Sequence, residues 1–222
     1  MGGDLVAVPG DEGTVLFGTW RVGAPARQEA AVEAIASAWR ARAWPGGGLR
    51  SYAVLTGEDG SSVLHVSQLA EGGGGPPDTG WKREVDAAVP GIERDGVVAS
   101  RLRTSTPAYG AAGDAGCVVL VTRVFDGPDL DRAYGLVQAM FDGGAAVPPA
   151  EGMISAHFLV SLDGARVFNY ALWKSVDAHR EAVGSRPSEL DEDPDWQRAH
   201  TWPGLRSTTF QRFRPRLHLT EG

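Results

Sequence analysis

Three side chains in the last quarter of the chain bring together an amide, an indole and an imidazole: Asn169, Trp173 and His179. Asn169 is the chain's single asparagine, and it stands in the apolar run Val167 to Trp173, where a carboxamide needs a hydrogen-bond partner. An amide both donates and accepts, an indole offers a flat apolar wall with one N–H, and an imidazole titrates near neutral pH. Asn169 and Trp173, four residues apart on a strand, share one face about 13 Å apart at 3.3 Å per residue. Each residue also has an ordinary structural reading. The amide can hold loop backbone, the indole can close a core at a strand end, and the imidazole can sit on an exposed helix face.

The elements that must position these groups show themselves through a repeat. Ser51 to Gly60 and Ser155 to Gly164 are both apolar runs ending in Asp-Gly, and a second apolar run follows each, Val63 to Leu69 and Val167 to Trp173. The offset, from Gly60 to Gly164, is 104 residues. Asp-Gly between two strand-like runs predicts a hairpin with a type I′ turn. Upstream, Trp20-Arg21-Val22 and Thr122-Arg123-Val124 align at an offset of 102, and Pro90-Gly91-Ile92 and Pro203-Gly204-Leu205 open a further run at an offset of 113. Helical spacing joins Val32, Ile35, Ala36, Trp39 and Ala43 in the first half, and Leu130, Tyr134, Val137 and Phe141 in the second. Trp81, Val85 and Val89 mark a helix after the first hairpin; Ser175 caps one after the second, and Asp193-Pro194 opens another. Each half therefore reads β-α-β-β-α-β, the ferredoxin-like order. The expected class is α+β, with a first half over residues 1–110 and a second over 111–222, and Tyr109 to Gly116 as the linker.

Pairing across Asp163-Gly164 sets Val160 opposite Val167, Phe158 opposite Asn169, Ala156 opposite Ala171 and Ile154 opposite Trp173. Phe158 and Ala171 thus become expected neighbours of a ligand, and His200 with Trp196 can line the same cleft. In the first half, Tyr52 and His65 fall on the matching face, His65 at the place of Asn169 and Leu69 at that of Trp173. Ser155, His157, Leu159, Phe168, Tyr170 and Leu172 form the opposite face, also largely apolar. Helices over one face and the other half's sheet over its reverse would account for both.

Composition removes several classes. A net charge of −7 argues against a nucleic-acid partner. The lone Cys117 excludes an intrachain disulfide and reads as a core thiol. No phosphate-binding loop, GxGxxG after a strand, HExxH or CxxC occurs, and the five histidines lack a ligand spacing, so no metal is expected. No apolar stretch reaches membrane-spanning length, and the first residues lack the basic and apolar regions of a signal peptide, which leaves a cytoplasmic protein without a membrane partner as the expectation.

The run Asn169-Tyr170-Ala171-Leu172-Trp173, followed by Ser175 and His179, resembles the antibiotic biosynthesis monooxygenase family of the dimeric α+β barrel superfamily. In that family a strand carries an Asn and, four residues on, a Trp, and a polar aromatic residue, typically Tyr, follows six residues later; here that place holds His179. The resemblance implies two tandem ferredoxin-like halves packed as an intramolecular dimeric α+β barrel; the second half is the expected active cleft, and the first, with Tyr52 and His65, a degenerate site or a second one. It implies oxidation of an aromatic polyketide-like phenol or anthrone to a quinone by O₂, with no cofactor. Asn169 would then donate to a ring oxygen, Trp173 would form the wall, and His179 would take or relay a proton. A polyketide cyclase or a non-catalytic ligand-binding protein on the same barrel remain alternatives, and haem degradation, known in related folds, is a lesser one. A second copy of the fused pair is an open partner.

Overall fold

The computed structural model describes residues 8–10, 12–74, 80–144, 148–185 and 194–221. The chain divides into two compact units, Met1–Ser100 with Phe213–Gly222, and Arg101–Arg212. Both unit boundaries fall inside strands rather than in the predicted linker, because the last strand of each half is longer than its own sheet requires.

The first unit runs β1 (Thr14–Arg21), α1 (Pro25–Arg40), β2 (Leu49–Gly57), β3 (Ser62–Leu69), α2 (Trp81–Ala88), β4 (Glu93–Arg94) and the start of β5 (Val98–Ser105). The strands are antiparallel. β1 lies between β3 and a final strand in two pieces, with Trp20 opposite Arg94 in β4 and Phe17 opposite Val98 in β5. β2 lies outside β3 and is bordered in turn by the last residues of β9 (Leu205–Thr220), with Tyr52 opposite Leu219. The second unit repeats this with β6 (Cys117–Phe125), α3 (Leu130–Gly144), β7 (Met153–Ser161), β8 (Arg166–Trp173), α4 (Val176–Gly184), α5 (Pro194–His200) and the first part of β9. Its order is β9, β6, β8, β7, with the end of β5 beyond β7. Each unit is thus a ferredoxin-like sheet carrying one borrowed strand segment at its edge, which keeps that edge from lying open.

Local chemistry accounts for the elements. Pro25 opens α1 at the first helical position, where a missing N–H costs nothing. The Ser175 hydroxyl accepts from Ala178 N at 3.0 Å and starts α4. Both hairpins form at Asp-Gly, but the turn is not type I′. Only Gly60 and Gly164 have positive φ, at 69° and 71°, while Asp59 and Asp163 stay at negative φ. Gly60 N donates to Gly57 O and Gly164 N to Ser161 O, as in a type I turn followed by a left-handed glycine. A side chain at positive φ is strained, so the turn places its one left-handed residue at the glycine. The predicted pairing survives, since Val160–Val167, Phe158–Asn169 and Ala156–Ala171 all face each other. It slips only at the far end, where a bulge puts Met153, not Ile154, opposite Trp173; the first half bulges identically at Arg50, leaving Leu49 opposite Leu69.

The helix phase in the second half also differs from expectation. Leu130 and Tyr134 are exposed, whereas Val137 is buried and Phe141 packs against the core as the spacing predicts, and Ala133 and Leu136 complete the core stripe of α3. Ala43 lies beyond the end of α1. Trp81, Val85 and Val89 are buried as the spacing predicts, and Cys117 is fully buried. Asp193 lies outside the described residues. Among the described residues no helix is long and apolar enough to cross a membrane.

Candidate functional site

The site is built on one face of three neighbouring strands in the second unit. Along β8 that face carries Val167, Asn169, Ala171 and Trp173. Opposite them in β7 stand Val160, Phe158, Ala156 and Met153, and in β6 stand Arg123, Val121, Val119 and Cys117. Side chains of α3 and α4, among them Leu136, Val137 and Val176, pack into the same apolar cluster. Both sides of the β7–β8 pair are buried: Leu159, Phe168, Tyr170 and Leu172 on the reverse face are all but inaccessible. Continuous apolar runs rather than clean alternation are the sequence signature of such strands.

Within this apolar face sit polar atoms that nothing satisfies. Asn169 is half-buried, and its Oδ1 has no hydrogen-bond partner among the described residues. Trp173 is 7% exposed, and its Nε1 is unpartnered among the described residues. A buried polar group left unpaired costs about 1–3 kcal/mol, so native proteins keep few of them, and they gather where a ligand or ordered water completes the bonding. Ala171 and Phe158 flank Asn169 as expected, and Phe158 meets the edge of Phe141 from α3 at 6.3 Å.

His179 lies in the first turns of α4, aimed by the Ser175 cap. Its ring stands edge-on to the Trp173 indole, with centroids 4.8 Å apart at 87°. Arg212 Nε donates to His179 Nδ1 at 2.8 Å. That bond places the ring proton on Nε2. Burial first, and the Arg212 charge second, pull the imidazole down to about 4. At neutral pH His179 is therefore a neutral Nε2–H donor with its other nitrogen occupied, which does not suit the proton-accepting role the resemblance implied. His200 is exposed at the end of α5, while its neighbour Ala199 is buried against the cluster. Trp196 is on α5, and its side chain lies outside the described residues. Among the described residues no group of histidine, cysteine and carboxylate side chains is arranged to hold a metal. His157 projects from the reverse face, where Ser105 and Ser155 hydroxyls engage its two nitrogens at 2.8 and 3.0 Å.

Arg123 is the residue that sequence reasoning missed. It is 6% exposed, and among the described residues its Nε and Nη1 have no hydrogen-bond partner. The alignment at an offset of 102 matched it to Arg21, which is solvent-exposed and ion-paired with Asp95. The strand register gives 103 instead: Trp20 faces Val63, Arg123 faces Val167, and these two valines are equivalent across the hairpins. One residue of slip turns a side chain to the other face of the sheet, so Arg123 takes the inward place of Trp20. Matching Thr14 to Cys117, already 103 apart, would have revealed it.

On the first unit's face the equivalent positions hold different groups. Tyr52 Oη meets His65 Nδ1 at 2.6 Å, Trp39 stacks on Tyr52, and Trp20 lies between His65 and Trp81. Burial first, then the charges of Lys82 and Arg94, pull His65 down to about 3, and burial pushes the Tyr52 hydroxyl up.

Comparison with known proteins identifies the fold. No family model and no curated protein matches the chain. Among solved structures, an anthrone oxidase-like protein superposes with a TM-score of 0.69 at 16% identity, over 95% of this chain and 94% of its own. A monooxygenase-like protein of Fusobacterium nucleatum gives 0.58 at 8% identity over 95% and 96%. A major regulator of staphylococcal pathogenesis gives 0.51 at 9% identity over 91% and 99%. The chain shares the fold of all three along nearly its whole length. One fold carrying both enzyme-like and regulatory names leaves function to be argued from the site.

Proposed function

We propose that the second unit is a cofactor-independent monooxygenase that oxidises an aromatic polyketide-like phenol or anthrone to a quinone. The observation that carries this reading is the pair of unpartnered buried polar atoms, Asn169 Oδ1 and Trp173 Nε1, on one otherwise apolar strand face. The resemblance of the Asn169–Trp173–His179 spacing to the antibiotic biosynthesis monooxygenases, and the fold shared with an anthrone oxidase-like protein, support it.

The chemistry asks little of the protein. A ring methylene beside a phenolic system loses a proton to give an electron-rich enolate, which passes an electron to O₂. Overall the CH₂ and O₂ become C=O and H₂O, so one oxygen atom enters the ring and the other leaves as water. The enzyme must bind the flat ring system in a dry place and stabilise the oxygen on which charge develops. Trp173 is the wall; Asn169 and the Trp173 and His179 N–H groups orient the ring oxygens. His179, neutral and occupied at Nδ1, orients and does not act as the base, so the proton leaves to water and the acidity of the ring C–H comes from enolate stabilisation.

O₂ uptake by protein stripped of metals and flavin, with a hydroxylated anthrone, tests this directly. Uptake matched mole for mole by quinone, and lost in Asn169→Ala and Trp173→Phe, is the expected result. Product formed without O₂ would point to the cyclase, and tight binding with no product to the non-catalytic ligand-binding protein.

A further inference from the structure

We propose that Arg123 is the anchor for a ring-borne oxyanion, so that the second unit binds its aromatic ligand as a phenolate or enolate with a hydroxyl beside the charged oxygen. The inference deepens the functional reading above and rests on it.

Three observations converge. Arg123 points into the strand face that carries Asn169 and Trp173, and it is diagonal to Asn169, since Val121 faces Asn169 and Arg123 faces Val167. Neighbours on that diagonal lie about 7–8 Å apart, within reach of one aromatic ring and its substituents. Second, its Nε and Nη1 are buried donors without an acceptor, while Asn169 Oδ1 is an acceptor without a donor. A ligand that completes both must present an acceptor and a donor side by side, as an ionised oxygen next to an O–H does. A lone carboxylate supplies only the acceptor. Third, the guanidinium remains charged where it sits: burial pulls it to about 10, well above neutral pH. His179, the other titratable group of the site, is uncharged above about pH 4. Arg123 is therefore a buried positive charge on the strand face itself, while the Arg212 guanidinium is engaged with His179 Nδ1.

A buried, unpaired guanidinium works against the fold. Replacing such a charge with an apolar side chain of similar size is often neutral or stabilising, whereas a structural arginine is missed when removed. That contrast separates a ligand-binding role from a packing role.

The probe is alizarin, a dihydroxyanthraquinone with adjacent hydroxyls whose phenol and phenolate forms differ in colour. Bound to the native protein it should ionise roughly 1–3 pH units lower than in free solution, the range set by an opposite charge at close quarters. In Arg123→Met the ionisation should return to its free pH and affinity should fall at least tenfold. Arg123→Lys should keep part of the shift, and the melting temperature of ligand-free Arg123→Met should equal or exceed that of the native protein. An unchanged shift in Arg123→Met, or a native protein that oxidises anthrone yet leaves alizarin ionising at its free pH, overturns this inference and spares the monooxygenase reading. An Arg123→Met protein that unfolds or melts well below native assigns the arginine to packing and likewise overturns it. Equal, Arg123-dependent binding of an anthracene carboxylate without hydroxyls makes the site a carboxylate site and overturns the ring-oxyanion claim. A native protein that neither binds alizarin nor consumes O₂ with anthrone removes both readings together.

Discussion

The two units build the same strand face and furnish it in opposite ways. Where the first unit has Trp20, Tyr52, His65 and Ser67, the second has Arg123, Ala156, Asn169 and Ala171. The first set is an aromatic stack: Trp39 lies on Tyr52 at 4.6 Å, His65 on Trp20 at 4.1 Å, and the Tyr52 hydroxyl closes on His65. The second replaces the large rings of Trp20 and Tyr52 with an arginine and an alanine, and pairs Ala156 with Ala171 at its centre. The first face is filled by large rings, with Trp39 Nε1 and His65 Nε2 unpartnered among the described residues, whereas the second carries small residues and a buried guanidinium beside its own unpartnered Asn169 Oδ1 and Trp173 Nε1. Native structures retain a buried unpaired charge where function needs it.

Making the second face resemble the first tests that contrast most severely. Ala156→Tyr inserts a phenol where the first unit carries Tyr52. If the face holds room for a ring, the variant should stay folded with a loss below about 2 kcal/mol, while anthrone oxidation and alizarin binding fall at least a hundredfold. Overpacking a filled core costs roughly 1–3 kcal/mol and sometimes more. A urea-unfolding series beside the activity assay decides: a large stability loss would show that the face is packed and that the comparison with the first unit misleads.

A smaller effect is expected from the polar atoms themselves. Asn169→Ala and Trp173→Phe should each lower kcat/KM by about 10- to 100-fold, the loss of one oriented hydrogen bond of about 1.4–2.7 kcal/mol in the transition state. Asn169→Ala should leave the melting temperature nearly unchanged, because its Oδ1 contributes no bond in the ligand-free protein. The matching changes in the first unit, His65→Ala or Tyr52→Phe, should reverse the pattern. Activity holds, and stability falls, because each removes part of a closed pair or an aromatic stack.

How legible this was in the sequence follows from the same residues. The hairpins declared themselves, because Asp-Gly between apolar runs constrains register, and register sets which residues share a face. Phe158, Ala171, Asn169 and Trp173 were brought together on that basis alone. The bulges at Arg50 and Ile154 were hidden, since nothing in an apolar run marks an extra residue. Arg123 was hidden by a more general difficulty. An arginine in a strand reads as a solvent-facing residue, and a local match of two Arg-Val pairs outweighed the longer alignment that begins at Thr14 and Cys117. His179 was found by spacing, but its protonation state is a tertiary property, set by burial and by Arg212 from a strand that follows it by some thirty residues.

The histidines carry a pH signature, one in each unit. Both are held below the ordinary value, His65 to about 3 and His179 to about 4. In the unfolded chain each takes up a proton near pH 6.5, whereas in the folded chain neither does until far lower. Below pH 6.5 the unfolded state therefore binds more protons, and stability falls with decreasing pH until the folded-state values are passed. The expected urea midpoint is flat above pH 7 and declines between about 6.5 and 4. His65→Phe should flatten that decline more than His179→Phe, because His65 sits deeper in its stack and has the larger shift. A decline of equal slope in the native protein and both variants would move the acid sensitivity to other groups and leave the two stacks equivalent.

The smallest effect concerns how the second unit aims its histidine. Ser175 is the helix cap whose hydroxyl accepts from Ala178 N, one residue before His179. Ser175→Ala should cost about 1 kcal/mol of stability, as cap removal generally does. The first turn of α4 also holds the imidazole edge-on to Trp173 at 4.8 Å, so loosening it should reach the site. A capping residue that only stabilises would leave kcat/KM untouched at temperatures where the protein is fully folded. A cap that positions His179 should lower kcat/KM a few-fold there, and Ser175→Asp, which restores an acceptor at the same place, should recover it. Asp at this position also favours the positive end of the helix, so its stability should equal or exceed that of the native protein. Full recovery of stability without recovery of activity would mean that the hydroxyl itself, and not the orientation of the helix, serves the site.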